Sequence, residues 1–194
     1  MQTSFADLKN KTAVITGGSG VIGFSIVRAL AAYGVKTAVI TRNKKSTEEK
    51  ISSIENTIAV EGDVIDRVSL LKAKEEINKT FGKVDILINC AGGNYPKATT
   101  GLEVLEDKNE KVQSIFGLDV EAVNNVFHLN FLGTLLPVQV FAEDMVDSKN
   151  GVILNISSIS SFRPLTKVAA YSAAKAAINN FTQWLSVHFA GLNI

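Results

Sequence analysis

Five short runs of β-branched and apolar residues, each separated from the next by helix-like sequence, constrain this chain more than any other feature. The runs lie at 12–16, 37–41, 57–61, 84–89 and 151–157. They are nearly continuous in apolar residues rather than alternating, the pattern of strands buried on both faces of a parallel sheet. Between them the sequence predicts helices. The segment 21–33 stops at Gly34, which can adopt the left-handed conformation that ends a helix. The segment 46–55 opens with Ser46-x-x-Glu49, a capping box. The segment 66–81 has Asp66 as its N-cap and Gly82 at its end. A long helix covers 119–146, with Pro137 expected to bend it, and an alanine-rich one covers 169–190. Strand and helix in alternation, with short connections, predict an α/β fold: a Rossmann-like doubly wound parallel sheet in three layers, αβα. The 194 residues suffice for one domain spanning 1–194.

Composition removes several function classes. Apolar content of 46% and the lack of any like-charge block exclude a disordered chain. A net charge of +1, from 20 basic and 19 acidic residues, gives no footprint for nucleic acid. Cys90 is the single cysteine, so an intrachain disulfide scaffold is excluded. The first twelve residues, MQTSFADLKNKT, lack the basic-then-apolar order of a secretory signal. The apolar stretch 13–27 holds four glycines with Thr16, Ser19 and Ser25, and does not read as a membrane span. The expectation is a cytoplasmic protein with no membrane partner. His128 and His188 have no second ligand at metal spacing, so no metal is expected.

Two motifs carry chemistry. The first run passes directly into Gly17-Gly18-Ser19-Gly20-Val21-Ile22-Gly23 and then a helix, so Gly18, Gly20 and Gly23 satisfy G-x-G-x-x-G between a strand and a helix. Small residues there let backbone approach a pyrophosphate, and helix N-terminal amides stabilise its charge. The second run ends in Thr41-Arg42-Asn43 with no carboxylate for an adenosine 2′-hydroxyl. A guanidinium at Arg42 can fork onto a 2′-phosphate, which favours NADP over NAD. The alternative is that Arg42 stacks near the adenine while NAD binds through other contacts. The second motif, Tyr171-Ser-Ala-Ala-Lys175, sets a phenol and an ammonium four apart on one helix face. A phenol alone is a poor general acid/base at neutral pH, and a neighbouring cation favours its phenolate.

These motifs, with EGDV (61–64), ILINCAGG (86–93), LNFLGT (129–134) and LNISS (154–158), resemble the short-chain dehydrogenases/reductases, in the same order along the whole chain. Within that family GGNYPKATT (92–100), GTLLPVQVF (133–141), FRPLTKVAAYSAAKAA (162–177) and NFTQWL (180–185) look like the D-mannonate oxidoreductase, or fructuronate reductase, subgroup. The resemblance implies an NAD(P)-dependent enzyme interconverting a secondary alcohol and a ketone, with a keto or hydroxy sugar acid as substrate. A gluconate- or polyol-type dehydrogenase of the same family is the alternative, as is a dinucleotide-binding fragment without turnover. It implies Tyr171 as general acid/base and Lys175 as the residue that assists it and holds the nicotinamide ribose. Ser158 resembles the serine bonded to the substrate oxygen, and Asn130 the asparagine that holds a water for proton relay. Asp63 and Val64 resemble an adenine-contacting pair, and Asn89, Ala91 and Gly92 a wall along the ribose. Gly17, Ser19, Gly20, Val21, Ile22, Gly23, Arg42 and Asn43 complete the expected dinucleotide site. Asn94, Lys97 and Arg163 are the candidates for the substrate, the two cations for its carboxylate. Simpler roles stand beside these: Asn130 as a polar residue serving a helix bend, Ser158 as a hydroxyl capping backbone, Lys97 and Arg163 as solvated cations.

The chain departs from the family pattern in three places. Val21 stands where a glycine is usual, and Cys90 where a second asparagine is usual. Family members are longer, and the resemblance puts Leu192-Asn193-Ile194 at the start of a sixth strand. The expectation is therefore a C-terminally truncated member whose last strands are missing and whose run at 151–157 is an open sheet edge. Dimers or tetramers are the implied assembly of the full-length family.

Overall fold

The computed structural model describes residues 5–105, 112–163 and 165–194. Residues 1–4 of the N-terminal stretch, 106–111 of the charged excursion between Thr100 and Leu118, and Pro164 of the 162–177 motif lie outside the described residues. Five strands, β1 (Thr12–Thr16), β2 (Lys36–Thr41), β3 (Thr57–Glu61), β4 (Ile86–Asn89) and β5 (Val152–Asn155), form one sheet in the order β3-β2-β1-β4-β5. All four pairings are parallel. The helices are α1 (Val21–Ala32), α2 (Lys44–Ile51), α3 (Arg67–Phe81), α4 (Val120–Phe127), α5 (Gly133–Ser148) and α6 (Ala169–His188). The architecture is the Rossmann-like doubly wound sheet that the alternating pattern predicts.

Alternate residues of each strand feed two cores. Ala13 and Ile15 of β1 join Val39, Ile86 and Ile88 under α1, where Val27 fills the layer. Val14, Ala38, Val60 and Leu87 face the other way, onto Leu70 and Ile77 of α3 and Phe141 and Met145 of α5. Burial on both faces is why these runs carry no polar alternation. Strand β5 differs. Ile153 packs on the α5 side, whereas Val152 and Leu154 are 57% and 47% exposed. Its outer flank starts to fill only at Gly151, whose N–H donates to Asn193 O at 3.2 Å.

Local chemistry moves several boundaries. The helix expected from Ser46 starts two residues earlier, because Asn43 is the N-cap and its side chain accepts from Ser46 N at 3.1 Å. An asparagine at that position satisfies the N3 amide, so the Ser46 capping box is not used. Asp66 caps α3 as expected, accepting from Val68 N and Ser69 N. The long helix does break, though at a π turn over His128–Leu132 rather than at Pro137, around which α5 continues. Among the described residues, the stretch Val120–Ser148 is long and apolar enough by length and hydropathy alone to cross a membrane. Half of its apolar window is buried, the behaviour of a core helix packed on the sheet and on α6.

Candidate active site

The carboxyl ends of β1 and β4 lie side by side where the strand order reverses, the place where open α/β sheets bind ligands. Thr16 closes β1, fully buried, and its Oγ1 accepts from Cys90 N and Ala91 N at 3.1 and 3.2 Å. This hydroxyl clamps the β4 exit against the glycine-rich loop. Gly17 sits there at φ +64°, and a Cβ on it would lie 2.8 Å from Ala91 N. A Cβ on Gly23 would lie 2.8 Å from Gly18 Cα. Glycine at these two positions is thus required by space, and at Gly17 by conformation too. Gly20 is the N-cap of α1, with its N–H on Gly17 O at 3.0 Å.

Around this turn opens a cavity of about 440 Å³. The loop contributes Gly17, Ser19 and Gly20; the end of β2 contributes Arg42 and Asn43; the end of β3 contributes Asp63 and Val64; the end of β4 contributes Ala91 and Gly92. Nine of the expected dinucleotide residues therefore share one cavity. Ile40, Thr41, Gly62, Cys90 and Leu129 line it as well, none of them among the expected dinucleotide residues. Val21 and Ile22 occupy the first turn of α1 with their side chains exposed, Val21 at 87%, outside this lining. The valine that replaces the usual glycine thus points away and leaves the turn intact. Asn89 is buried below the floor, where its Nδ2 donates to Asn155 Oδ1, and Asn155 Nδ2 in turn donates to Thr182 Oγ1 of α6.

Farther along the same edge lie the candidate proton-handling groups. Asn130 is fully buried in the π turn, and its Nδ2 donates to Gly93 O at 2.7 Å and Val126 O at 2.8 Å. Its Oδ1 accepts from Gly93 N at 3.2 Å. The side chain thus ties the β4 exit to the helix, and it serves the π turn rather than a bend at Pro137. Lys175 is 4% exposed; its Nζ donates to Ile156 O at 2.8 Å and lies 5.8 Å from the centre of the Tyr171 ring. Burial pushes the Lys175 ammonium below the ordinary lysine value, partly opposed by the Cys90 thiol. Burial pushes the Cys90 thiol up, with Lys175 opposing. Gly92 is the meeting point: a Cβ there would lie 2.7 Å from Asn130 Oδ1 and 3.1 Å from Lys175 Nζ.

Ser158 caps the short turn Ile159–Ser161, accepting from Ser160 N at 3.2 Å and Ser160 Oγ at 2.9 Å. Its neighbour Ser157 donates instead to Lys175 O. Ser161 Oγ donates to Ser158 O and accepts from Asn179 Nδ2 at 2.7 Å. Tyr171, Lys175 and Asn179 recur every four residues on one face of α6, so helical spacing was the available signal for Asn179. The substrate candidates are less convergent. Asn94 Nδ2 is committed to Thr99 Oγ1 at 2.9 Å, and Lys97 and Arg163 are exposed with no ion pair among the described residues.

An α/β sheet with a glycine turn at its switch point and a Tyr-Lys helix beside it defines a class of dinucleotide-dependent proteins. Residues 11–194 match the family described as short chain dehydrogenase, and the chain belongs to that family. The uncharacterized oxidoreductase UxuB of Bacillus subtilis (strain 168) is 47% identical over 188 residues, covering 95% of this chain and 67% of that protein. An uncharacterized oxidoreductase of Haemophilus influenzae is 42% identical over 193 residues, covering 97% of this chain and 68% of its own. A solved Haemophilus structure with bound NAD, to which D-mannonate oxidoreductase activity is provisionally ascribed, superposes with a TM-score of 0.91 at 42% identity. That match covers 95% of this chain and 68% of the other. The chain spans about two thirds of the length of these relatives.

Proposed function

We propose that this chain carries the dinucleotide and proton-handling site of an NAD(P)-dependent oxidoreductase that interconverts D-mannonate and D-fructuronate. The observation that carries the reading is the junction at Gly92, where the glycine-lined cavity meets a buried lysine on the same helix face as Tyr171. Gly17 and Gly23 let the loop close tightly on the β4 exit and on itself, and Gly20, the N-cap of α1, borders the cavity in which a pyrophosphate would meet the helix N-terminus. A bound nicotinamide supplies or accepts the hydride. The residues of the chain do the rest. Tyr171 gives or takes the proton of the substrate oxygen, and the positive charge of Lys175 beside its ring stabilises the phenolate. Ser158 holds the substrate oxygen once its hydroxyl turns from Ser160. Asn130 fixes the Gly93 backbone and, in this reading, holds a water for the proton relay.

Arg42 at the end of β2 favours NADP in this reading, and Asp63 and Val64 hold the adenine. Arg163 and Lys97 are the cations for the sugar-acid carboxylate, and Asn94 is a further substrate contact. The sugar-acid assignment is supported by the motifs at 92–100 and 162–177 and by the Haemophilus neighbour. The proposal includes a cytoplasmic setting, in keeping with the free thiol of Cys90, and a homo-oligomer joined through α5 and α6. Exposed Trp184 and Val146 border an apolar groove of about 430 Å³ between those helices.

The test is oxidation of NADPH and NADH with D-fructuronate by this chain and by Tyr171→Phe. Turnover lost in the variant supports the reading, and the faster cofactor decides the part played by Arg42. Saturable changes in nicotinamide fluorescence without turnover would instead reduce the chain to a binding module.

A further inference from the structure

Helix α2 sends one cation back to the glycine-rich loop. Asn43, Thr47 and Lys50 share one face of this helix by their spacing. Asn43 lines the cavity, Thr47 Oγ1 donates to Thr41 Oγ1 at 2.9 Å, and one turn on, Lys50 Nζ donates to Ser19 O. The same ammonium lies 4.7 Å from the centre of the Phe24 ring on α1. Ser19 and Arg42 border one cavity, and Lys50, outside its lining, reaches it through the carbonyl of Ser19. Among the described residues neither Lys50 nor Arg42 enters an ion pair, whereas Lys44 is committed to Glu76 at 2.9 Å.

We infer that Lys50 is a second cation, beside Arg42, for a phosphate on the adenosine 2′-oxygen, and that it trades Ser19 O for that phosphate when such a nucleotide binds. The inference rests on the dinucleotide reading of the cavity and adds to it a residue that no glycine motif marks. A backbone carbonyl and a ring face are weak neutral partners for an ammonium. A phosphate dianion adds the attraction of an opposite charge to the hydrogen bond. The four-carbon stem of lysine lets the ammonium move without moving α2. With an unphosphorylated ribose Lys50 stays on Ser19 and closes the loop; with a phosphorylated one it closes onto the ligand.

The experiment is titration calorimetry of the chain with 5′-ADP and with 2′,5′-ADP, repeated for Lys50→Met, Lys50→Arg and Arg42→Ala. The expected result is that 2′,5′-ADP binds more tightly to the unmodified chain. Lys50→Met should cut that preference about two- to fivefold, the size for an exposed charge pair, and Lys50→Arg should restore it. The preference should also shrink as salt rises from 0.05 to about 0.5 M. Equal weakening of both nucleotides in Lys50→Met would leave Lys50 only a loop clamp and overturn the inference. So would an unchanged preference. Binding of neither nucleotide to the unmodified chain would overturn the dinucleotide reading itself, and the inference with it.

Discussion

Strands β1 and β5 are written in the same alphabet and meet opposite fates. Every residue of Thr12–Thr16 is buried, while Val152–Asn155 alternates between exposed and half-buried. β1 has β2 and β4 on its flanks and a core on each face. β5 has β4 on one flank and a core on the α5 side alone, so Val152 and Leu154, in register with Ile86 and Ile88, are left in water. An apolar run marks a strand, but its place in the sheet decides how much of its hydrophobic surface contributes to stability.

The sharpest test of this contrast is truncation on the central strands. Leu87→Ala removes a fully buried side chain between α3 and α5 and should cost about 2–5 kcal/mol in urea denaturation. Gly17→Ala comes next. It forces a side chain into the left-handed region and against Ala91 N, and should cost about 1–2 kcal/mol while abolishing nucleotide binding by calorimetry. The third test uses pH. Lys175 is held below the ordinary lysine value by burial, so the unfolded chain binds more protons than the folded one between those two values. Stability contributed through Lys175 is therefore lowest at neutral pH and rises across the alkaline window below the ordinary lysine value. Lys175→Met should remove that part of the slope, read as urea midpoints of both chains at about pH 7.5 and pH 9.5. The smallest effect is expected at the edge. Leu154→Ala should shift stability by less than about 1 kcal/mol, and Leu154→Lys should raise solubility in a light-scattering assay. A loss at Leu154 as large as that at Leu87 would erase the contrast.

The sequence made the sheet legible because its signals are local. Continuous β-branched runs, Asp66 ahead of a helix and glycine after one need no partner to be read. The glycine turn and Arg42 were legible for the same reason, whereas Asp63, Val64, Ala91 and Gly92 were reached only through the family resemblance. What the sequence hid depends on contacts between distant segments. The π turn replaced a proline bend because Asn130 binds Gly93 across the fold. The Thr16 clamp on the β4 exit and the Asn179–Ser161 link beside Ser158 join residues far apart in the chain, so no window of sequence shows them.

The parallel pairings also set a timetable. Thr12 meets Lys36 across a single crossover holding α1, whereas Ile86 meets Val152 only after α4, the π turn and α5 have been gathered in. The entropy of closing that longer loop makes β5 the slower strand to dock, by the same reasoning that ties folding speed to contact order. Helix α6 follows β5 and is tied to it through Asn155 and Thr182. Most of the cavity lining, from Gly17 to Gly92, thus precedes Tyr171 and Lys175 in the chain, and a dinucleotide that bound those strands early would act as a template on which the second half of the fold is laid down.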